Sequence, residues 1–296
     1  MKYLVLDIGG SAIKYAIMNE KSEIINKDKV VTPRDTLDNF KNAIFGLYDE
    51  FKDEIEGIAV SMPGMVDSKT GFAYTGGSLE YIDNINIVEL LQEHCKAKIT
   101  IENDGKCAVK AEHWIGSLKN CNDAAVIVLG TGVGGGIISN GKILKGKHFS
   151  AGEFSFIRTD LNKDAEGLSN VWALKNGTAF LIDNLAEKKN IDKKDLDGVK
   201  FFEMANNGDA DALEVLDEFC SNMAVQIFNL QTILDCEKFA IGGGISAQPI
   251  LFKYIDRNLK YLYDKFPIKV PQAEVVQTKF LNDANLIGAL YTYLYE

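Results

Sequence analysis

The sequence predicts an α/β protein built from two related lobes, and two observations carry that prediction. A strand, a glycine turn and a second strand occur twice. The first copy, at 3–18, runs Tyr3-Leu4-Val5-Leu6, Gly9-Gly10, Ala16-Ile17-Met18; the second, at 124–139, runs from Ala125 to Leu129 through a glycine run to Ile137-Ile138. In both copies the glycines open into another strand, the mark of an internal duplication. The second observation is that short apolar runs alternate with helical periodicity through the rest of the chain. A length of 296 residues, 46% hydrophobic and 10% aromatic, suits two lobes with a sizeable core and argues against disorder.

Taken in order, helical patterns fall at 36–52, 86–95, 105–115, 170–186, 209–234, 247–264 and 283–294. Strands are read at Gly57-Ile58-Ala59-Val60-Ser61, which ends at Pro63-Gly64, at Ile99-Thr100-Ile101 and at Lys238-Phe239-Ala240-Ile241. Asn140-Gly141 reads as a hairpin turn. No low-complexity linker separates the lobes, so the boundary near 118–122 rests on the repeat. The first lobe is then 1–118 with the C-terminal helix of about 283–296, the second is 119–282, and a cleft lies between them.

With 42 acidic against 32 basic residues the net charge is −10, which disfavours a nucleic-acid binder. Lys142, Lys145 and Lys147 are the nearest thing to a basic run, and a solvated hairpin face explains them. The N-terminal apolar stretch is too short for a signal peptide and no run approaches membrane-spanning length, so a cytoplasmic protein is expected. Cys95, Cys107, Cys121, Cys220 and Cys236 are odd in number and widely spaced, as reduced core thiols are. His94, His113 and His148 have no ligand-like spacing with them and read as structural or exposed.

The chemistry sits at three glycine turns, each after an apolar run: Asp7-Ile8-Gly9-Gly10-Ser11, Gly130-Thr131-Gly132-Val133-Gly134-Gly135-Gly136 and Gly242-Gly243-Gly244. Glycines there allow backbone N–H groups close to phosphate oxygens. Between the first two turns lies Glu102-Asn103-Asp104, whose carboxylates can supply the base that deprotonates an attacking hydroxyl. Phosphoryl transfer from a nucleotide to an alcohol is the reading that results. Each piece also has a plainer one. Asp7 is a carboxylate near nucleotide-bound magnesium or a turn-forming Asp. Asp104 is a base or the N-cap of the 105–115 helix. Glu153 is held in a cleft or is one exposed acid among many. Gly242-Gly243-Gly244 is an adenosine approach or a simple turn.

Two other matches fail. Gly130, Gly132 and Gly135 fit G-x-G-x-x-G, but the run leads into Ile137-Ile138 and not a helix. Gly136 to Lys142 approximates a P-loop, but Ile143 stands where a hydroxyl is needed.

Together these pieces resemble the ROK family (repressors, open reading frames and sugar kinases) of the actin-like ATPase fold. Asp7-Ile8-Gly9-Gly10-Ser11 looks like its first phosphate motif, with Ser for Thr, and Gly130 to Gly136 like its second. Glu102-Asn103-Asp104 looks like its catalytic motif, Ala151-Gly152-Glu153-Phe154 like its sugar motif, and Ile241-Gly242-Gly243-Gly244 like its adenosine motif. The resemblance implies ATP and Mg2+ as cofactors, held by Asp7, Ile8, Gly9, Gly10, Ser11, Lys14, Gly130, Thr131, Gly132, Val133, Gly134, Gly243 and Gly244. It implies Asp104 as the catalytic base, and Gly64, Thr75, Gly77, Asn103, Asp104 and Glu153 as sugar-binding. A homodimer is also implied, with no nucleic-acid or membrane partner.

The sequence also departs from the family's sugar and zinc segments. The sugar motif usually continues to Gly-His, and here it continues to Ser155-Phe156. The family's cysteine-rich zinc segment should fall near 160–172, and no cysteine lies between Asp160 and Trp172, so no structural zinc is expected. The sugar-binding Glu usually supplied beside that segment has no assigned counterpart; Asn170 stands nearby. Thr75-Gly76-Gly77-Ser78, Ile82-Asp83-Asn84 and the stretch from Ala111-Glu112 to Trp114 and Gly116 look closer to the β-glucoside kinases of the family, which phosphorylate cellobiose and its relatives at the terminal 6-hydroxyl. The alternatives are a kinase for glucose or N-acetylmannosamine, or a non-catalytic sugar sensor. Family repressors carry an N-terminal helix-turn-helix domain, which is not expected with Asp7 so near the start.

Overall fold

The computed structural model describes residues 1–160, 167 and 170–296. In chain order the first elements are β1 (Lys2–Ile8), β2 (Ala12–Asn19), β3 (Ile24–Val31), α1 (Leu37–Phe51), β4 (Gly57–Met62), β5 (Val66–Asp67), β6 (Phe72–Thr75), β7 (Asp83–Asn86), α2 (Ile87–Gln92), β8 (Lys98–Asn103) and α3 (Asp104–Ile115). They are followed by β9 (Ala124–Leu129), β10 (Val133–Ser139), β11 (Lys142–Ile143), α4 (Trp172–Asn176), α5 (Thr178–Lys189), α6 (Gly198–Asn206), α7 (Ala210–Leu234), β12 (Lys238–Gly242), α8 (Pro249–Lys265), β13 (Val275–Gln277) and α9 (Ala284–Tyr295).

The chain divides into two compact units. The first comprises Met1–Ile115, Ile143–Ala151 and Asp283–Glu296, the second Gly116–Lys142 and Gly152–Asn282. Residues 143–151, which the sequence reading puts in the second lobe, therefore pack in the first unit. The reason lies in the side chains of Lys145 and Phe149, described below.

The first unit is built on a sheet of order β3-β2-β1-β4-β8. Its first three strands are an antiparallel meander and β4 and β8 join in parallel. Parallel pairing needs a crossover, which α1 supplies between β3 and β4. Thr36 caps α1 by accepting from the Asn39 N–H at 3.2 Å, and Phe40, Ile44, Leu47, Tyr48 and Phe51 repeat at helical spacing on its buried face. A small antiparallel sheet, β5-β6-β7, follows β4. On the far side Gly288 lets α9 meet α3 at van der Waals contact. A Cβ there would lie 1.9 Å from the Cys107 carbonyl oxygen.

The second unit repeats the plan with a sheet of order β11-β10-β9-β12-β13, β9 and β10 antiparallel and β9, β12 and β13 parallel. Asn140 and Gly141, at φ 51° and 70°, make the turn between β10 and β11, the left-handed pair such a two-residue hairpin requires. The 25-residue helix α7 runs through the core, capped by Asp209 at its start and by Asp235 in the left-handed conformation at its end. The expected helix over 170–186 is in fact two, α4 and α5, broken at Gly177. A Cβ on Gly177 would sit 2.1 Å from the Thr131 carbonyl oxygen, so this break lets a helix end press against the glycine loop after β9.

All five cysteines are free and buried, and burial raises the thiols of Cys95 to about 11 and Cys236 to about 12. His94 pairs with Asp49 at 2.9 Å and His148 is exposed. No helix among the described residues is long and apolar enough to cross a membrane. The stretch 160–172, where the family's zinc segment would fall and no zinc is expected here, lies largely on 161–166 and 168–169, outside the described residues.

Candidate active site

In the first unit the antiparallel register sets Asp7 directly opposite Lys14, and the Lys14 Nζ lies 3.2 Å from Asp7 Oδ2. The parallel register sets Asp7 beside Ser61, whose hydroxyl donates to Asp7 Oδ1 at 3.2 Å. The Asn285 amide at the start of α9 donates to the same oxygen at 3.0 Å. Asp7 is 4% exposed, so these three contacts fix its carboxylate. Its partners lie on β2, β4 and α9, not in the turn that follows, which sets it apart from a simple turn-forming Asp. Ser61 and Asn285 were not found by sequence reasoning. Ser61 is recognisable only once the β1–β4 pairing is known, and Asn285 stands 278 residues away.

The turn after β1 is braced from outside. Gly9 N–H donates to Ala12 O at 3.0 Å, and Thr32, also unpredicted, donates from its hydroxyl to Gly9 O at 2.6 Å. A Cβ on Gly10 would lie 2.7 Å from Ser78 Oγ. Ser11 is exposed beyond it.

At the end of β8 the chain turns into α3, and Asp104 is the first residue of that helix. The N-cap is Asn103, whose Oδ1 accepts from Lys106 N–H at 3.1 Å, so of the two readings of Asp104 the cap falls to its neighbour. The Asn103 amide donates to Gly64 O and to Asp104 Oδ1, both at 3.0 Å. Both amide hydrogens are thereby engaged, and a lone pair of Oδ1 is what Asn103 retains for a ligand. Asp104 Oδ1 also accepts from Gly105 N–H at 2.7 Å. The structure thus holds Asp104 in one orientation through Asn103.

Gly64, Thr75 and Gly77 are brought together in this unit. Gly64 has φ 100°, and a Cβ on it would lie 2.0 Å from Thr75 O, while Gly77, at φ 61°, sits against Pro63. Thr75 Oγ1 accepts from Met65 N–H at 3.1 Å.

Beneath the Asn103-Asp104 turn lies an ion network the sequence did not reveal. Glu102 and Lys110 are both fully buried, with Lys110 Nζ 2.7 Å from Glu102 Oε2, 2.8 Å from Glu296 Oε1 and 2.9 Å from Thr292 Oγ1. Lys145 Nζ reaches the same Glu102 oxygen at 2.8 Å and also donates to the Ser68 hydroxyl. Lys145 is therefore not on the solvated hairpin face expected of it; Lys142 and Lys147 are exposed. Burial pushes the Glu102 carboxyl up, but the ammonium groups of Lys110 and Lys145 outweigh that and leave it below its ordinary value. Burial lowers the Lys110 ammonium, and Glu102 and Glu296 more than reverse it. The network ties the segment 143–151 to the strand that carries Asn103.

In the second unit the phosphate-like loop is closed by Gly130 N–H donating to Gly132 O at 2.9 Å. Thr178, at the start of α5, donates to Gly130 O from both its N–H and its hydroxyl, each at 2.9 Å. Geometry sorts the glycines of this run. A Cβ on Gly130 would meet nothing within 4 Å, whereas one on Gly135 would lie 2.4 Å from the Phe154 ring and one on Gly132 3.2 Å from Ala173 Cβ. Gly135 is thus a glycine because the sugar-like motif packs on it, and Gly130 has open space before it.

Gly242 pairs with Val128 in parallel register, so the loops after β9 and β12 emerge side by side. Gly243, at φ 93°, comes so close that a Cβ would lie 2.0 Å from Leu129 O, and Gly244 faces open space. Thr131 is exposed and Val133 buried. Glu153 is half-buried and accepts from the Ser155 hydroxyl, so the residue standing in the place of the usual Gly-His engages Glu153 itself. Among the described residues no group of three or more His, Cys, Asp or Glu could hold a metal ion.

The model of the ROK family matches residues 3–295. This chain belongs to the ROK family. It is 31% identical over 298 residues to a β-glucoside kinase of Listeria monocytogenes, covering all of this chain and 98% of that protein. A solved structure of a candidate N-acetylmannosamine kinase from Listeria monocytogenes superposes with a TM-score of 0.89 at 29% identity, covering 99% of each chain. A ROK glucokinase of Streptomyces griseus, solved with glucose and AMPPNP, superposes with a TM-score of 0.86 at 22% identity over 98% of each chain. The fold is the sugar-kinase form of the actin-like ATPase fold, as the family resemblance implied, and the two sheets repeat one plan as the duplicated strand–turn–strand predicts.

Proposed function

We propose that the protein is an ATP-dependent carbohydrate kinase that phosphorylates a β-glucoside such as cellobiose at the terminal glucosyl 6-hydroxyl, giving ADP and a 6-phospho-β-glucoside. The observation that carries the chemistry is the Asp104 carboxylate, fixed at the start of α3 by Asn103 and Gly105. Full-length similarity to a β-glucoside kinase supports the substrate class. The structural likeness to a candidate N-acetylmannosamine kinase favours a monosaccharide as the second reading.

In this reading Asp104 accepts the O6 proton as the oxygen attacks phosphorus, a contribution of about 10²–10⁴-fold for a positioned base. Asn103 holds that carboxylate and, with Glu153 and the Gly64–Thr75–Gly77 cluster, binds sugar hydroxyls. The glycine turns at Gly9, Gly10 and Ser11 and at Gly130 to Gly134 let the nucleotide phosphates approach the backbone closely. Gly243 and Gly244 let the adenosine approach the backbone. Asp7, with Lys14 beside it, stands near the magnesium that travels with the nucleotide. MgATP supplies the phosphoryl group, and the metal offsets its charge.

The open space in front of Gly130 is the fit of these residues to a nucleotide, and it gives a separable test. Because a Cβ there meets no protein atom within 4 Å, Gly130→Ala is expected to leave the melting temperature in place. Nucleotide affinity should fall by about tenfold or more, equivalent to about 1.4 kcal/mol, measured by calorimetry. Unchanged nucleotide affinity would remove Gly130 from the phosphate site. The substrate is tested by ADP release with cellobiose, gentiobiose, salicin, glucose and N-acetylmannosamine. The β-glucosides should be preferred, and preference for a monosaccharide would replace them.

A further inference from the structure

Two aromatic residues of the first unit, Tyr74 exposed and Phe149 half-buried, pack on each other beside the proposed sugar pocket. The rings of Tyr74 and Phe149 are stacked, with centroids 5.7 Å apart and planes at 17°, and Phe72 buttresses Tyr74 edge-on at 5.0 Å. Tyr74 is 41% exposed, although a residue of its size on a short strand could be polar without loss to the core. Phe149 has φ 59°, a left-handed conformation that a bulky side chain adopts only when its surroundings impose it. Here the imposing contact is Lys106, whose buried ammonium donates to Phe149 O at 2.9 Å. Folding alone gives no reason for the chain to hold a half-buried aromatic residue in a strained conformation so that it stacks on an exposed one.

The position of the pair supplies a reason. From Asp104, one path runs through Asn103 to Gly64 O, and the next residue, Met65, accepts from Tyr74 N–H at 2.9 Å. The other path runs two residues along α3 to Lys106 and across to Phe149. Both lead from the carboxylate that would hold O6 to the same aromatic pair. A β-glucoside carries its aglycone on C1, across the ring oxygen from C6, so a glucosyl unit with O6 at Asp104 sends its aglycone about one ring width away.

We propose that Tyr74 and Phe149 form the aglycone subsite, a platform on which the apolar face of an aryl group or of a second glucosyl ring stacks. The inference rests on the β-glucoside reading and deepens it. Aromatic faces bind such rings through large, rigid contact area at low entropic cost. A free monosaccharide has no group to place there.

The test compares methyl β-glucoside, phenyl β-glucoside and cellobiose as phosphoryl acceptors for the wild type, Tyr74→Ala and Phe149→Gly. Glycine accepts the backbone conformation of Phe149, so the second variant removes the ring without adding strain. The wild type should favour phenyl β-glucoside and cellobiose over methyl β-glucoside in kcat/KM. In each variant the loss on those two acceptors should exceed the loss on methyl β-glucoside by about tenfold, chiefly through KM. Methyl β-glucoside turnover also reports that the variant is folded. Equal losses on all three acceptors, or none, would overturn the platform while leaving the kinase reading in place. A wild type that phosphorylates no β-glucoside but turns over glucose would overturn the substrate reading and the platform with it.

Discussion

Asp104→Asn should lower kcat by about 10²–10⁴-fold, the contribution of a positioned general base, while sugar affinity measured by calorimetry changes little. The expectation follows from the contacts at the β8–α3 junction. Asp104 uses its Oδ1 to accept from the Asn103 amide and the Gly105 N–H, and an Asn oxygen can accept both of those bonds. The substitution therefore preserves the turn and removes the basicity. A variant with near-normal turnover would show that Asp104 is not the base.

Lys110→Met should destabilise the first unit by about 3–5 kcal/mol, the cost of stranding a buried partner charge. Lys110 and Glu102 are both fully buried, and Glu102 would lose its nearest cation and keep only Lys145 and the Asn103 N–H as partners. Urea unfolding followed on the first unit checks this, and a midpoint within error of wild type would show that the network contributes little. The pH dependence has a defined sign. Glu102 is held below its ordinary 4.5, so its stabilising contribution is complete above that value and is lost as pH falls through the lower folded value. Lys110 is held above its ordinary 10.5, so its contribution is complete below that value and is lost only in stronger alkali. The stability difference between wild type and Glu102→Gln is therefore expected to stay level across neutral pH and to shrink in acid below 4.5.

The sequence carried the parts of this fold whose pattern is local. The two strand–glycine–strand units, the Asn140-Gly141 turn and the long periodicity of α7 were all legible, because glycine and helical spacing act within a few residues. β3 was not, since Ile24–Val31 is mostly exposed, with its apolar residues paired at the two ends, and gives no period-two signal. β5, β6 and β7 are each four residues or fewer, too short to show alternation. The break at Gly177 depends on the Thr131 carbonyl, 46 positions away in the chain, and no local rule could supply it.

The site divides in the same way. Asp7, Asp104 and the glycines announce themselves by residue type at strand ends. Asn285, Thr32 and Thr178 act on Asp7 and the glycines only through tertiary contacts. Asn103 was noticed as a ligand-facing amide, and the structure adds its role as helix cap and holder of Asp104. Lys145 shows the limit most clearly. In sequence it is one lysine among three near a hairpin, and in the fold its ammonium bonds a buried carboxylate next to the Asn103-Asp104 turn.

The measurement closest to the central claim is identification of the product made from cellobiose and MgATP. Phosphorus and carbon NMR of the purified product should place the new phosphate on O6 of the non-reducing glucosyl unit, with one ADP formed per phosphate. Formation of glucose 6-phosphate from glucose, with cellobiose recovered unchanged, would contradict the account and make the protein a monosaccharide kinase.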